Sequence, residues 1–556
     1  MGPTVQRCND TDYITWWSGY TQNNYKHGNW FIYDKHYNLA WNLTAQGNLS
    51  TADVHDSYLT PRCTAVMTVY QPVQHDLSRF NISNGWLVDS FFQEIDLATG
   101  ELLFQWQASH HIDMEEARDW SPAHTNSGYN SSIGWDFFHI NSVEKDSSGN
   151  YLISARHTSA LYYISGFTGS VIWTLGGLNN SFKDLSSGLA TSFKYQHMAR
   201  WVDATHTQIS LYDDGNADYT NPRSSRGIIL SLDPTARTVS LLHAYPATNN
   251  ATSVREGSAQ VLHDSLSSPD PTVLLGYGND PGWTEYSLNG TVIWDVALGP
   301  TGIDRFSADN YRALKVNFTG APTWLPRIAV GPRKEYVFDE GEGMFAVRRT
   351  GPDGVGRKND TVYFSWNGAT EVRKWVLLAG NATRGLGWED YVGYVERRGF
   401  EESWVVGEET KFVMAVAVDG RDRVLGRTGT LEMKTGVERG RLGRGEEGTR
   451  ELVALTVGWR EFVAARDVSI MVRLSSGYRR VREEVEMSKL AAAGVGGFGV
   501  VMMLAVCFVP LWLRCMRGRS GGNYHLVVPR SSGSEEVDTR KHPRANYSDA
   551  SDKVVG

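Results

Sequence analysis

The sequence predicts an all-β protein that ends in one membrane-spanning helix. Three observations indicate this: hairpin-like stretches recur through roughly the first 300 residues, shorter alternating strands follow them, and one long apolar run lies near the C-terminus. The aromatic content of 12% and the 56 glycines fit many short strands joined by tight turns. The formal net charge of −8 is mild for 556 residues and argues against a nucleic-acid partner.

A repeated pair of strands fills the N-terminal part. Its five copies begin at Phe31, Glu94, Tyr162, Ile229 and Tyr286, spaced 63, 68, 67 and 57 residues apart, and another hairpin precedes each. Four strands per unit, repeated around an axis, is the plan of a β-propeller, and we assign it to residues 13–325. The stretch YRALKVNF at 311–318 is expected to return and complete the ring.

The pattern changes near residue 325. Short alternating strands at 326–428 predict a small sandwich of immunoglobulin-like or fibronectin-like type. Residues 429–488 are rich in Arg, Glu and Gly, which indicates a solvated, charged stalk. The polar tail at 514–556 is expected to be disordered and cytoplasmic.

The apolar run at 490–513 holds no charged residue over 24 positions, which is long enough for a helix to span a bilayer. Trp512 suits the membrane interface, and arginines follow directly at 514, 517 and 519. A buried core helix is the alternative, but the globular part shows no other helix of that kind. We therefore expect a single-pass membrane protein.

Glycosylation sequons indicate its orientation, because eleven precede the helix and one, Asn546, follows it. The eleven are Asn9, Asn42, Asn48, Asn81, Asn130, Asn179, Asn250, Asn289, Asn317, Asn359 and Asn381. The large N-terminal part is thus expected in the secretory lumen or outside the cell. There its two cysteines, Cys8 and Cys63, can form a disulfide. Residues 1–20 contain no apolar core of a signal peptide, so we expect the natural chain to begin further upstream.

Chemistry-bearing residues recur where the repeats begin. His55, His139 and His197 each lead into the first strand of a different unit, and Arg156 ends the strand that pairs with the one after His139. In a propeller such positions converge on the central channel. Each histidine could instead be a satisfied structural residue, as expected for His157. A tris-histidine metal site is disfavoured because Arg156 is a fixed cation, and no metal or other cofactor is expected.

Several histidines and one arginine suit a tetrahedral oxyanion. Arginine offers a planar fork of donors to two oxygens of a phosphate or sulfate. Neutral histidine can act as a nucleophile, and protonated histidine can donate to a leaving oxygen. The sequence holds no HExxH, CxxC or Walker A motif that would point to other chemistry.

These residues carry a resemblance to a known family. The stretches FFHINSVEKDSSGNYLISARHTSALYYI, FKYQHMARW, GWLVDSFFQEIDLATGELLFQW and YFSWNGATEVRKW resemble the arylsulfotransferase family, in its fungal-type branch. The resemblance implies a six-bladed propeller that transfers a sulfuryl group from an aryl sulfate ester to a phenolic acceptor, without a nucleotide donor.

The resemblance also implies roles for single residues. His197 matches the histidine that becomes transiently sulfated, and His55, His139 and Arg156 match the groups that hold the sulfate and assist the leaving group. Asn141, two residues after His139, would share its strand face and orient it or contact the substrate. Met198 departs from this branch, which usually has an acidic residue there, and this leaves the basicity of His197 open.

A second hypothesis is a non-catalytic receptor or adhesion propeller at the cell surface, since fold does not imply function. The position of the four polar side chains separates the two hypotheses. An enzyme requires His55, His139, Arg156 and His197 to meet at one cavity, whereas a binding platform does not.

Overall fold

In the computed structural model the fold is mostly β, as predicted. The residues that the structure describes are 3–23, 25–49, 51–216, 223–248, 252–262, 271–298, 310–331, 335–339, 344–348, 360–381, 385–440, 450 and 452–464. The described helices are short: α1 (Pro122–Thr125), a helix at 452–464, and 3-10 turns at Ser78–Phe80, Ala108–His110, Met114–Trp120, Ser131–Ile133 and Trp388–Asp390.

Five antiparallel sheets follow one another along the N-terminal part. The first is β1 (Thr4–Cys8), β2 (Thr11–Gln22), β3 (Tyr25–Tyr33) and β4 (Leu39–Leu43); the second is β5 (Ser57–Leu59), β6 (Thr64–Leu77), β7 (Ile82–Asp96) and β8 (Leu102–Gln107). The third is β9 (Ile140–Lys145), β10 (Tyr151–Ala155), β11 (Ala160–Ile164) and β12 (Val171–Gly176). The fourth is β14 (His197–Trp201), β15 (Gln208–Asp213), β16 (Arg226–Asp233) and β17 (Thr238–Pro246), with β13 (Lys183–Asp184) added parallel to β17. The fifth is β18 (Ser258–Leu262), β19 (Thr272–Gly276), β20 (Gly282–Ser287) and β21 (Val292–Ala297).

Each repeated pair in the sequence forms the outer two strands of one sheet. The pair that begins near Tyr162, for example, is β11 and β12, whose register joins Leu161 to Leu175. The Asn, Asp and Gly residues between the strands supply the positive φ that tight turns need, as at Gly149 (φ 86°) and Gly169 (φ 75°). The turn residues therefore fix which residues pair between neighbouring strands. This pairing determines which face of the sheet each apolar side chain occupies.

The first strands of successive sheets lie beside one another, in the order β1, β5, β9, β14 and β18. Side chains link these inner strands. The backbone N–H of Ala199 on β14 donates to Ser142 Oγ on β9 at 3.1 Å, and Gln6 Nε2 on β1 donates to the carbonyl of Ser57 on β5 at 2.9 Å. Loops that precede the inner strands are thereby held at one end of a common core.

The segment Asn310–Val316 connects the fifth sheet back to the second. It runs beside β18 and bonds largely to side chains: the backbone N–H groups of Ala313 and Lys315 donate to Ser258 Oγ at 3.0 Å and Gln260 Oε1 at 2.8 Å. Arg312 then reaches Asp56, just before β5, at 2.7 Å. Six repeated units are expected, and the described residues contain five such sheets together with this connecting segment.

Apolar clusters lie between consecutive sheets because each sheet is apolar on both faces. Trp106, Phe92 and Tyr151 pack between the second and third sheets, and Leu211 and Leu161 between the third and fourth. Full burial of a large apolar side chain contributes roughly 1.5–3 kcal/mol. These contacts fix the spacing of the sheets and so the positions of the loops at their inner ends.

Two further sheets face each other after residue 326. One contains β22 (Arg327–Gly331), β25 (Thr361–Ser365) and β28 (Glu401–Val405). The other contains β26 (Lys374–Gly380), β27 (Tyr391–Glu396), β29 (Phe412–Val418), β30 (Val424–Arg427), β31 (Thr430–Glu432) and β32 (Val437–Arg439). Between them lies a core that includes Phe364, Trp375 and Leu377. A separate two-stranded sheet joins β23 (Glu335–Asp339) to β24 (Met344–Arg348).

The predicted boundaries of this second region differ from the structure. The sheet continues past residue 428, because β31 pairs with β29 and Leu431 is fully buried in the core. Residues 452–464 are helical, and Trp459 is only 4% exposed. The segment has a high charge density, which predicts a solvated stalk. It also contains a few apolar residues at strand and helix spacing, and these residues form the observed strands and helix.

Cys8 and Cys63 form a disulfide with a Cα–Cα distance of 4.9 Å, which joins the end of β1 to the turn before β6. The predicted membrane segment at 490–513 and the tail at 514–556 lie outside the described residues. Within the part of the chain that is described, no helix has the length and apolar character needed to cross a membrane.

Candidate active site

A cavity of about 810 Å³ lies at the inner ends of the five sheets, and His55, His139, Arg156 and His197 all line it. These are the four side chains that sequence reasoning placed in the site. His55 precedes β5, His139 precedes β9, and His197 is the first residue of β14, so each comes from a different sheet. The ring centroids of His55 and His139 are 4.7 Å apart. The site therefore has the convergence that an enzyme requires.

The hairpin β9–β10 brings His139 and Arg156 side by side. The backbone N–H of Arg156 donates to the carbonyl of His139 at 3.0 Å, directly beyond the last paired residues Ile140 and Ala155. His139 has a positive φ of 57°, so its side chain turns out of the strand's alternation and into the cavity. Pairing of β9 with β10 thus brings together two residues that lie 17 positions apart in sequence.

Every cavity histidine has a carboxylate on its Nδ1 atom. Asp53 Oδ1 lies 2.5 Å from His55, Asp136 Oδ2 lies 2.5 Å from His139, and Asp214 Oδ2 lies 2.6 Å from His197. A carboxylate at Nδ1 fixes the tautomer and the ring orientation, which leaves Nε2 as the nitrogen available for chemistry. None of these three carboxylates was foreseen.

Asp214 resolves the question that Met198 raises. Met198 is 5% exposed with φ 52°, and its side chain does not offer a charge to His197. The carboxylate comes instead from the end of β15, where the pairing of His197 with Tyr212 carries the chain on to Asp214. The acidic partner is therefore present, although it is 17 residues away in sequence.

His197 is neutral in this structure. Burial lowers its pKa well below that of a free imidazole, and the nearby positive charge of Arg156 acts in the same direction. The backbone N–H of Glu256 donates to His197 Nε2 at 3.2 Å, which requires an unprotonated lone pair there. Burial also lowers the pKa of His139, against the raising effect of Asp136. Both rings thus offer a neutral Nε2 at neutral pH.

Arg156 is held rigidly. Its Nη2 donates to the carbonyl of Val254 at 3.0 Å, and its Nη1 lies 2.7 Å from His157 Nε2. Its guanidinium carbon lies 5.3 Å from the ring centroid of Trp120 and 5.2 Å from that of Tyr195. Cation–π contacts and two bonds to protein acceptors fix the direction of the remaining Nε–H donor.

His157 supports Arg156 and is buried behind it. Its Nδ1 donates to the carbonyl of Asp136 at 2.6 Å, and its ring stacks on Trp120 at 4.3 Å. Both ring nitrogens are therefore engaged. Asp136, His139 and His157 lie close enough to suggest a metal site, but His157 has no free lone pair and Arg156 adds a positive charge beside it. This donor set does not fit a metal ion.

Asn141 does not contact the cavity, contrary to the prediction. It is fully buried, and its Nδ2 donates to the carbonyl of Gln196 at 2.6 Å. The prediction assumed that His139 and Asn141 share a strand face, but the strand begins only at Ile140 and His139 has a left-handed backbone. Asn141 therefore holds the peptide before His197 in place.

Aromatic and charged residues from several sheets complete the walls. The unforeseen ones include Trp17, Tyr25, Tyr70, Trp120, Glu256, Tyr311 and Arg312. Two of the missed carboxylates have a local signal, because Asp53 and Asp136 stand two and three residues before their histidines. Tyr311 and Arg312 have none, since they belong to the connecting segment and reach the cavity only when the ring closes.

Solved structures with low likeness include a protein of unknown function from Bacteroides caccae (13% identity, 53% of this chain, 80% of that chain, TM-score 0.29). Another is the periplasmic gluconolactonase of Pseudomonas aeruginosa (11% identity, 72% and 87%, TM-score 0.31). TM-scores this low define neither fold nor function. No curated protein matches the sequence.

A family model gives the clear result. It matches residues 4–299, which is more than half of the chain and contains all five sheets, the three histidines and Arg156. The model describes arylsulfotransferases, the family that the sequence motifs resemble. The chain belongs to the arylsulfotransferase (ASST) family.

Proposed function

We propose that this protein transfers a sulfuryl group from an aryl sulfate ester to a phenolic acceptor, without a nucleotide donor. One observation carries the proposal: three histidines, each with a carboxylate on Nδ1, share one cavity with a rigid arginine. Membership of the arylsulfotransferase family supports the same reaction class. The aromatic walls, including Trp17, Trp120 and Tyr70, suit the rings of an aryl donor and a phenolic acceptor.

In the first half-reaction the sulfuryl group moves from the donor to His197. Its Nε2 lone pair forms a bond to sulfur while the bond from sulfur to the phenolic oxygen breaks and leaves its electron pair on that oxygen. The contact from the Glu256 N–H is long at 3.2 Å, so the sulfur can replace it. The departing oxygen takes a proton from His55 in its protonated form, because Nε2 of His139 carries none. Arg156 donates to the oxygens on sulfur, where charge accumulates.

In the second half-reaction the sulfuryl group moves from His197 to the acceptor phenol. The acceptor phenol gives its proton to His55, which lost one in the first half-reaction, its oxygen bonds to sulfur, and the electron pair of the N–S bond returns to His197 Nε2. Asp214 stabilises the positive charge that the sulfated ring carries, because it accepts the Nδ1–H throughout. Two sequential transfers through one histidine give ping-pong kinetics.

The same proposal includes a six-bladed ring, in which Asn310–Val316 occupies the sixth position. It also includes a lumenal or extracellular N-terminal part, anchored by residues 490–513. The disulfide and the sequons support this location. The nine described sequon asparagines on that side are all exposed, whereas Asn250 and Asn359 lie outside the described residues. A short cytoplasmic tail at 514–556 and a fungal-type origin belong to the same proposal.

The test measures release of nitrophenol from 4-nitrophenyl sulfate with a phenol as acceptor. We expect turnover by the wild type and loss of at least about 10³-fold in His197→Ala, because the nucleophile is removed. His110→Ala is the control, since His110 is exposed and outside the cavity. No release by the wild type with any donor, together with tight binding of an aryl ligand, would favour the receptor hypothesis instead.

A further inference from the structure

Three buried hydrogen-bond donors on the cavity wall have no partner among the described residues. They are Arg156 Nε, Arg312 Nε and the hydroxyl of Tyr311. A buried donor left without an acceptor costs free energy, so such groups are rare unless a ligand or water satisfies them. Three of them on one cavity indicate a ligand that brings several acceptor oxygens.

Arg312 is held in the same way as Arg156. Its Nη1 donates to Asp56 Oδ1 at 2.7 Å and its Nη2 donates to the carbonyl of Asn141 at 2.8 Å. Its side chain is 4% exposed, and its guanidinium carbon lies 5.5 Å from the ring centroid of Tyr311. In both arginines the bonds to protein acceptors engage the two Nη groups, and Nε has no partner among the described residues. This arrangement fixes the direction of each free donor.

Tyr311 lies beside the histidines. Its ring centroid is 6.0 Å from that of His55, and the adjacent Arg312 is one of the charges that lowers the pKa of His197. The phenol stays protonated, because burial raises the pKa of Tyr311 well above its usual range. It is therefore a hydrogen-bond donor at neutral pH.

We infer that Tyr311 and Arg312 form, with Arg156, a cradle for the three oxygens of the transferred sulfuryl group. The inference rests on the proposed function and adds two residues from the connecting segment to it.

The test uses Tyr311→Phe and Arg312→Lys in the full chain. Phenylalanine removes only the hydroxyl, and lysine keeps the charge beside Asp56 but lacks the Nε–H donor. We expect each to lower kcat/KM for 4-nitrophenyl sulfate by about 10²-fold, the order found when one donor to a developing oxyanion is removed. Tyr129→Phe, at an exposed tyrosine outside the cavity, is expected to keep the wild-type rate. Circular dichroism establishes that each variant is folded.

Binding of inorganic sulfate separates failure of the cradle from failure of the enzyme. Sulfate is expected to raise the Tm of the wild type and to have less effect on Tyr311→Phe and Arg312→Lys. If turnover occurs and both variants stay within twofold of the wild type, the cradle is wrong while the proposed function stands. If no turnover occurs, loss of the sulfate effect in both variants still supports the cradle, and an equal effect in all proteins overturns it.

Discussion

Three histidines with the same kind of carboxylate partner differ in how that partner reaches them. Asp53 and Asp136 stand close in sequence to His55 and His139, whereas Asp214 arrives from the next strand. In each case the carboxylate takes Nδ1, so the ring presents Nε2. The orientation of each cavity imidazole therefore depends on the carboxylate that binds its Nδ1.

Asp214→Asn tests this dependence. The amide keeps the size of the side chain but removes the charge that orients His197 and stabilises its sulfated form. We expect kcat to fall by at least about 10²-fold with an unchanged fold, as for other histidine dyads that lose their carboxylate. Steady-state turnover of 4-nitrophenyl sulfate measures the effect, and Asp233→Asn on an exposed turn is the control. A variant that keeps a third of the wild-type rate would contradict the role of Asp214.

At the scale of elements, the inner ends of the sheets act as a frame for short loops. The loop before β5 carries Asp53, His55 and Asp56, and the turn after β5 is tied to the first sheet by the disulfide between Cys8 and Cys63. The two cysteines are 55 residues apart in sequence, so the bridge closes a long loop of the unfolded chain. We therefore assign it a role in stability and none in catalysis.

Replacement of both cysteines by serine is expected to lower the free energy of unfolding by about 4 kcal/mol, the loop-entropy estimate for a loop of this length. Urea unfolding with and without reductant measures it. Reductant should lower the stability of the wild type to that of the variant and leave the variant unchanged. Equal stability of wild type and variant under oxidising conditions would contradict the prediction.

At the scale of the whole molecule, the cavity exists only because five sheets and one connecting segment meet. This concentrates buried ionisable groups at one place, and it makes folding depend on their protonation. His157 and His197 are neutral when folded, because burial lowers the pKa of each well below that of a free imidazole. When the chain unfolds, both titrate near pH 6.5.

The two histidines should consequently lower the stability as the pH falls below about 6.5, whereas burial raises the pKa of Glu144 to about 7, so that this carboxyl acts in the opposite direction. Below about pH 6.5 each histidine lowers the free energy of unfolding by up to about 1.4 kcal/mol per pH unit, because the unfolded chain binds its proton. Urea unfolding between about pH 5 and 8 therefore compares the wild type with His157→Gln, which should lack the share of one histidine, and His110→Ala is the control. A His157→Gln profile with the same slope as the wild type would contradict the assignment.

Much of the site could be predicted from the sequence, since His55, His139, Arg156 and His197 all reach the cavity. The repeat spacing was sufficient for these four residues, because each lies beside the end of one of the first two strands of its sheet. The prediction that Asn141 shares a strand face with His139 was wrong for a local reason. The left-handed backbone at His139 breaks the alternation of side chains along the strand that the prediction assumed. The predicted solvated stalk at 429–488 missed the burial of Leu431 and Trp459, because a few apolar residues there outweigh the charges around them.

By itself, the sequence determined the class of fold, the five repeated hairpins and the residue types that suit an oxyanion. Those properties depend on local periodicity and on side-chain chemistry, which a single chain displays directly. Only the tertiary structure decided that Asp214 serves His197 in place of a residue at position 198, and that Tyr311 and Arg312 face the same cavity. Such pairs depend on register between strands and on closure of the ring, and both are set by long-range packing.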